Sequence, residues 1–368
     1  MNNILIIVGT RPNFIKVTQF KEIAKQYPKL NLKIVHTGQH YDDKMADIFF
    51  KQFKLTPDFF LNIAQGSPNS QIAEIMVKLE NLIKNIFTPE LIIVVGDVNS
   101  TLAASITANK MGIKLAHIES GLRSFDLSMP EEHNRILTDK LSDVFFVTEE
   151  SGYNNLMNDG IDEKQILFSG NTMIDTLVAF SNEIENSSIL NDFKLKPSEF
   201  VLMTMHRPAT VDDRGGLEKL YELISHVTQK YKIVFPIHPR TLRKIEEYNL
   251  KESFINNKNL ILTDPLDYFA FQKLIKYCKF ILTDSGGIQE ESTFVGIPCL
   301  TLRPNTERPV TVTHGTNTLI PFDLQVIKNS IAQIENGTYK KGVIPEFWDG
   351  KSTGRILKFV SNYFPDLK

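Results

Sequence analysis

Short, largely apolar runs rich in β-branched residues recur along the first half of the chain: Ile4 to Val8, Leu32 to His36, Leu91 to Val95, Lys114 to Ile118, Val144 to Val147 and Ile166 to Phe168. They lack strict polar alternation, the pattern of strands covered on both faces in a parallel sheet. Amphipathic stretches of helical length separate them, such as Ser100 to Met111, with Gly112 placed to close that helix in a left-handed conformation. The second half repeats the scheme with Phe200 to Met205, Lys232 to Ile237, Asn259 to Thr263, Phe280 to Thr283 and Cys299 to Leu302. Helical stretches such as Gly216 to Lys230 and Tyr268 to Tyr277 lie between them. The pattern predicts an α/β protein of two doubly wound, Rossmann-like domains. No short-period repeat occurs, so the halves share an architecture and solenoids are excluded.

A polar stretch around Glu183 to Pro197, with Asn186, Ser187, Ser188 and Asn191, reads as a linker near residues 175–199. The expected domains are residues 1–175 and 176–368, facing a cleft, with the last helix free to pack back on the first domain. The hydrophobic fraction of 42% and charged fraction of 23% suit a protein that folds in water. With 41 Lys+Arg against 43 Asp+Glu the net charge is -2, so no broad basic surface exists to release counterions from nucleic acid. Cys278 and Cys299 lie in apolar, strand-like stretches and suit a reducing compartment, the cytoplasm, better than a disulfide framework. No cationic leader precedes Ile4 and no apolar run reaches membrane-spanning length, so no membrane partner is expected.

Ligands of open parallel sheets bind beyond the carboxyl ends of the strands, so the residues after each apolar run carry the chemistry. The first run enters Gly9-Thr10-Arg11-Pro12-Asn13-Phe14-Ile15-Lys16, where a tight turn and two cations meet a helix N-terminus, an anion site. A plain strand-to-helix turn with solvated cations would read similarly. The segment is neither a Walker loop nor a GxGxxG fingerprint, which argues against a dinucleotide, and no cofactor is expected. Thr283-Asp284-Ser285-Gly286-Gly287-Ile288-Gln289-Glu290-Glu291 is the clearer phosphate cradle. Ser285, Gly286 and Gly287 expose amides at a helix N-terminus, and Glu291 is placed for a ribose diol. Asn305-Thr306-Glu307-Arg308-Pro309 adds a second anion-facing piece.

Asp97, Glu119 and Glu131 send three carboxylates to one edge of the first sheet. Each alone is compatible with a helix cap or a surface acid; together they suit acid/base work, because neighbouring carboxylates hold their pKa values apart. His206-Arg207 ends the first strand of the second half and is suited to carry a proton or bind a leaving phosphate. His36, His40, His117 and His238 show no metal-ligand spacing, and no metal is expected. Phe269 and Phe271 are candidates to stack a base, with core packing the default for each.

The segments GTRPNFIK, HTGQHYD, VVGDVNSTLA, HIESGLRSFD, MPEEHNRILTD, GNTMID, HRPATVDD, FPIHPRT, LTDSGGIQEE and TERPV resemble the non-hydrolysing UDP-N-acetylglucosamine 2-epimerases, a family of the two-domain glycosyltransferase-B fold. They follow the family's order over residues 9–310, and Pro12 and Lys16 match its non-hydrolysing pattern. The resemblance implies a homodimeric isomerase serving cell-surface polysaccharide synthesis, with Asp97, Glu119, Glu131 and His206 catalytic and Arg11, Ser285, Gly286, Glu291 and Arg308 holding UDP. Lys16, Arg135, His238, Phe271 and Gly287 join them as expected UDP-sugar contacts. The implied reaction is C2 epimerisation by elimination of UDP to a 2-acetamidoglucal and re-addition, with the domains closing on the UDP-sugar. A 2-epimerase of a modified UDP-sugar, such as a diacetamido-uronate, a UDP-sugar glycosyltransferase and a UDP-sugar-binding protein are the alternatives; the carboxylate trio disfavours the last two.

Some bacterial members of that family bind a second UDP-N-acetylglucosamine as activator, and Gln39, His40, Arg207 and His238 match the residues involved. Here the loop continues Tyr41-Asp42, bringing an acid, and residues 61–68 contain no arginine. The expectation is a weakened regulatory site and hyperbolic kinetics.

Overall fold

The computed structural model describes residues 1–38, 50 and 52–363. The chain divides into two compact units, Met1–Ala179 with the C-terminal segment from Glu346, and Phe180–Pro345. The first unit is built on strands Asn2–Val8 (β1), Leu30–His36 (β2), Phe59–Phe60 (β3), Leu91–Val95 (β4), Lys114–Ile118 (β5), Val144–Val147 (β6) and Ile166–Phe168 (β7). Their order is β3-β2-β1-β4-β5-β6-β7. The second unit holds Phe200–Thr204 (β8), Lys232–Pro236 (β9), Leu260–Thr263 (β10), Ile281–Thr283 (β11), Cys299–Leu302 (β12) and Asn317–Ile320 (β13), ordered β10-β9-β8-β11-β12-β13. The strand pairs are parallel in both sheets.

Parallel strands need helical crossovers, which cover both faces and explain why β4, Leu-Ile-Ile-Val-Val, is buried at every position. Helix Asn99–Met111 closes on Gly112 at φ 67°, as its sequence predicts. The polar stretch 183–197 differs from expectation: it carries helices Ser181–Asn186 and Ile189–Asp192 and belongs to the second unit. Lys273 Nζ donates to the carbonyls of Glu185 and Ser187, so a charged neighbour distant in sequence orders a segment that reads as a linker. Cys278 caps the helix Tyr268–Tyr277 rather than lying in a strand. Strand β13 has no apolar signature because Asn317 is fully buried, accepting from Thr301 Oγ1 at 2.6 Å and donating to Gln289 Oε1 at 2.9 Å.

The last helix, Ser352–Tyr363, packs within the first unit. Buried Trp348 donates from Nε1 to the Thr148 carbonyl at 2.9 Å. Asp175 accepts from the amides of Ser352 at 3.0 Å and Thr353 at 2.6 Å, the first turn of that helix. Burial raises the Asp175 carboxyl above the usual range, against the pull of these donors. Asp175→Ala should cost about 1–3 kcal/mol by stranding two buried amides. Urea unfolding and proteolysis near Glu346 measure it; an unchanged midpoint would remove this role from Asp175.

Candidate functional site

In an open parallel sheet the ligand crevice opens where strand order reverses. In the first unit this is between β1 and β4. Asn13 Nδ2 donates to the Val95 carbonyl at 3.0 Å and Thr10 Oγ1 donates to Asn13 Oδ1 at 2.7 Å, joining the two carboxyl-end loops. Lys16, just after the helix Arg11–Ile15, meets Glu119 beyond β5: Nζ to Oε1 is 2.6 Å, with side chains only 7% and 4% exposed. Glu119 has φ 69°, in the left-handed region that costs a side-chain-bearing residue about 1–2 kcal/mol. Gly96 lies beside the pair at φ 66°, a conformation that favours glycine, and a Cβ there would stand 3.1 Å from Asn13 Nδ2.

Arg135 bridges Asp97 and the buried Glu132. Glu132 accepts from the amide and hydroxyl of Ser124, each at 2.9 Å, and from the Phe125 amide at 2.9 Å. Burial pushes its carboxyl up, but these donors and Arg135 outweigh burial and hold it below the usual range. Behind this layer His117, fully buried, bridges Asp139 at 2.7 Å and the Gly96 carbonyl at 2.8 Å. Asp139 also accepts from Arg123 at 2.6 Å, and His117 and Arg123 overcome burial to keep its carboxyl low.

In the second unit the order reverses between β8 and β11, where the Thr204 and Thr283 hydroxyls lie 2.6 Å apart. Buried Asp284 accepts from the amides of His206 at 2.9 Å and Arg207 at 2.8 Å, and its other oxygen is 3.0 Å from His206 Nδ1. That contact turns Nδ1 of a ring 38% exposed toward the buried carboxylate. Burial would raise Asp284, but His206 and the two amides hold it low. The His238 ring lies 5.4 Å from that of His206. Helix Gly287–Val295 begins beside them, with the Ser285 amide donating to Thr283 Oγ1 at 2.9 Å. One turn in, buried Glu291 accepts from Gln272 Nε2 at 2.5 Å. Arg308 pairs with Glu290 at 2.8 Å and Glu307 at 2.5 Å.

The fold thus joins Lys16 to Glu119, Asp97 to Arg135, and His206 to His238. It sets Arg308 beside Gly286, with Nη1 3.3 Å from where a Cβ would stand. Glu131 is exposed in the first turn of helix Pro130–Leu141, while its neighbour Glu132 takes the buried position. Arg11 opens its helix half-buried. Phe271 packs against the core around Leu274, and the Phe269 ring lies 5.4 Å from that of Phe180. Arg207 Nε donates to the Asp284 carbonyl at 3.0 Å. Gln39 and His40, with Tyr41 and Asp42, lie outside the described residues. The sequence reading left Asn13, Glu132, Asp139 and Asp284 without roles. Asp284 follows β11 as Asp97 follows β4, a signal that was readable; Glu132 and Asp139 carry no local mark.

Two doubly wound parallel-sheet units, with charged groups at both strand-order reversals, define an α/β enzyme of the glycosyltransferase-B type. Residues 22–361 match the UDP-N-acetylglucosamine 2-epimerase family, and the chain belongs to it. It is 38% identical to the UDP-N-acetylglucosamine 2-epimerase of Methanocaldococcus jannaschii over 97% of this chain and 98% of that protein. It is 37% identical to the UDP-2,3-diacetamido-2,3-dideoxy-D-glucuronate 2-epimerase of Pseudomonas aeruginosa over 97% of this chain and 99% of that protein. The crystal structure of the M. jannaschii UDP-GlcNAc 2-epimerase with UDP-GlcNAc and UDP superposes with a TM-score of 0.89 at 35% identity, covering 98% of this chain and 99% of that one.

His238 caps the helix Pro239–Glu247, its Nδ1 accepting from the Arg240 amide at 3.1 Å. Burial, then the charges of His206, Arg240 and Arg243, lower its pKa from the ordinary 6.5. The unfolded chain therefore takes up this proton first, and stability falls as pH drops below about 6.5. His238→Asn keeps a capping acceptor without the titration, so its melting temperature should fall less than wild type between about pH 6.5 and 5.5. Parallel melting curves across that window would disprove the coupling.

Proposed function

We propose that this protein interconverts UDP-N-acetylglucosamine and UDP-N-acetylmannosamine. The observation that carries the reading is the pair of carboxylates, Glu119 and Asp97, at the carboxyl ends of neighbouring strands, each matched to a cation. A sugar C2–H is too weakly acidic for direct removal by a carboxylate. Breaking the C1–O bond, with its electron pair leaving on the β-phosphate oxygen of UDP, builds positive charge at C1 and acidifies C2–H. A base then takes the C2 proton, the C–H pair becomes the C1=C2 bond, and 2-acetamidoglucal and UDP result. Protonation on the opposite face and return of UDP give the epimer.

Inversion needs proton carriers for two faces. Asp97, Glu119, Glu131 and His206 are the groups proposed for them, with the buried Lys16 paired to Glu119 and Arg135 to Asp97. In the second unit, Ser285, Gly286 and Gly287 at a helix N-terminus suit the diphosphate, with Arg308 near; Glu291 suits the ribose. The likeness to the diacetamido-uronate enzyme supports a second reading, the same elimination on a modified UDP-sugar.

In D2O, NMR of the reaction from UDP-N-acetylglucosamine should show the mannosamine epimer carrying deuterium at C2. Turnover without C2 exchange would overturn elimination, and turnover only of a diacetamido-uronate would select the second reading. Glu119→Gln and Asp97→Asn should each lower turnover by about 100-fold or more. Near-normal rates in both would withdraw the assignment.

A further inference from the structure

Two guanidinium groups meet at the N-terminus of helix Gly287–Val295, and the acceptors around them do not satisfy all of their N–H groups. A Cβ placed on Gly286 would stand 2.9 Å from Glu307 Oε1, 3.3 Å from Arg308 Nη1 and 3.9 Å from Arg303 Nη1, so two guanidinium groups face the same point. Arg308 forms close ion pairs with Glu290 and Glu307. Arg303 is held less closely: Nη2 reaches Glu307 at 3.3 Å and Asn305 at 3.4 Å, both long, and Nη1 is buried without a hydrogen-bond partner. The residue is only 4% exposed. Burial, with the charges of Arg207 and Arg308, pushes its pKa down while Glu307 opposes them. A buried guanidinium N–H without an acceptor is costly, and such orphans mark places where another group belongs.

We propose that Arg303, which lies just before the TERPV segment, is a diphosphate-binding residue: its Nη1 lies under Gly286 and takes a phosphate oxygen of the nucleoside diphosphate held at that helix N-terminus. The proposal rests on the UDP-sugar reading above. Arg303 then supplies what the exposed amides lack, a fixed cation in a water-poor setting, where it acts on a dianion far more strongly than a solvated side chain would. Glu307 tethers Arg303 and Arg308 before the ligand arrives. The charge that leaves C1 lands on the β-phosphate, so the same residue favours bond breaking as well as binding.

The test is calorimetric titration of the full-length protein with UDP, alongside uridine binding followed by ligand-observed NMR. Arg303→Met should weaken UDP about tenfold or more, the scale of one charge-assisted hydrogen bond, and leave uridine within about twofold. Arg303→Lys keeps a cation but not the fork, so it should weaken UDP about threefold and spare uridine; it decides the matter if the Met variant does not fold. UDP affinity equal to wild type in a folded variant overturns the proposal. So does a parallel loss of UDP and uridine, which would mark a purely structural role. A wild-type protein that binds uridine but not UDP overturns the diphosphate role, and one that binds neither overturns the UDP-sugar reading beneath it.

Discussion

Lys16 and Glu119 meet at 2.6 Å where water is nearly excluded, and much of the first unit is arranged to allow it. Neither charge could sit there alone, because moving an ion out of water costs several kcal/mol that only a close opposite charge repays. The pair forms with Glu119 in a left-handed turn, beside Gly96 whose own positive φ favours glycine. It also requires the β1 and β4 loops to meet, which Asn13 secures through the Val95 carbonyl. A buried ion pair is a poor source of net stability. Its retention is better explained by what it presents, a carboxylate at a sheet edge beside a cation.

The second unit meets the same constraint differently. Asp284 is matched by the His206 ring and by backbone amides, and it holds the chain at His206 and Arg207. Further along, buried Glu290, Glu307, Arg303 and Arg308 form a cluster of two acids and two bases. Overall charge balance hides a local imbalance in hydrogen bonding, since Arg308 takes the better share of the acceptors.

Glu131 and Glu132 show how finely a helix divides labour. Both lie in the first turn of one helix, where either acid is favoured by the dipole. One residue of rotation buries Glu132 against Ser124, Phe125 and Arg135 and leaves Glu131 in solvent. The buried acid organises the loop and the arginine that reaches Asp97; the exposed one remains available to a ligand.

The sequence by itself determined the two parallel sheets, because strands buried on both faces must be apolar in unbroken runs; β4, β5, β6 and β7 begin and end where those runs do. It also determined that Asp97, Glu119, His206 and Ser285 stand at carboxyl ends, since Glu119 and His206 follow such runs directly and Asp97 and Ser285 one residue later. Only the tertiary structure decided which of these groups meet. Lys16 and Glu119 are brought together because β1, β4 and β5 are neighbours in the sheet, a consequence of strand order that no local pattern encodes. Strand β13 and the helices of 181–192 were illegible for the same reason: their polar residues are satisfied by partners distant in sequence, Gln289 and Thr301 for one, Lys273 for the other. A polar residue reads as surface until the fold supplies its partner.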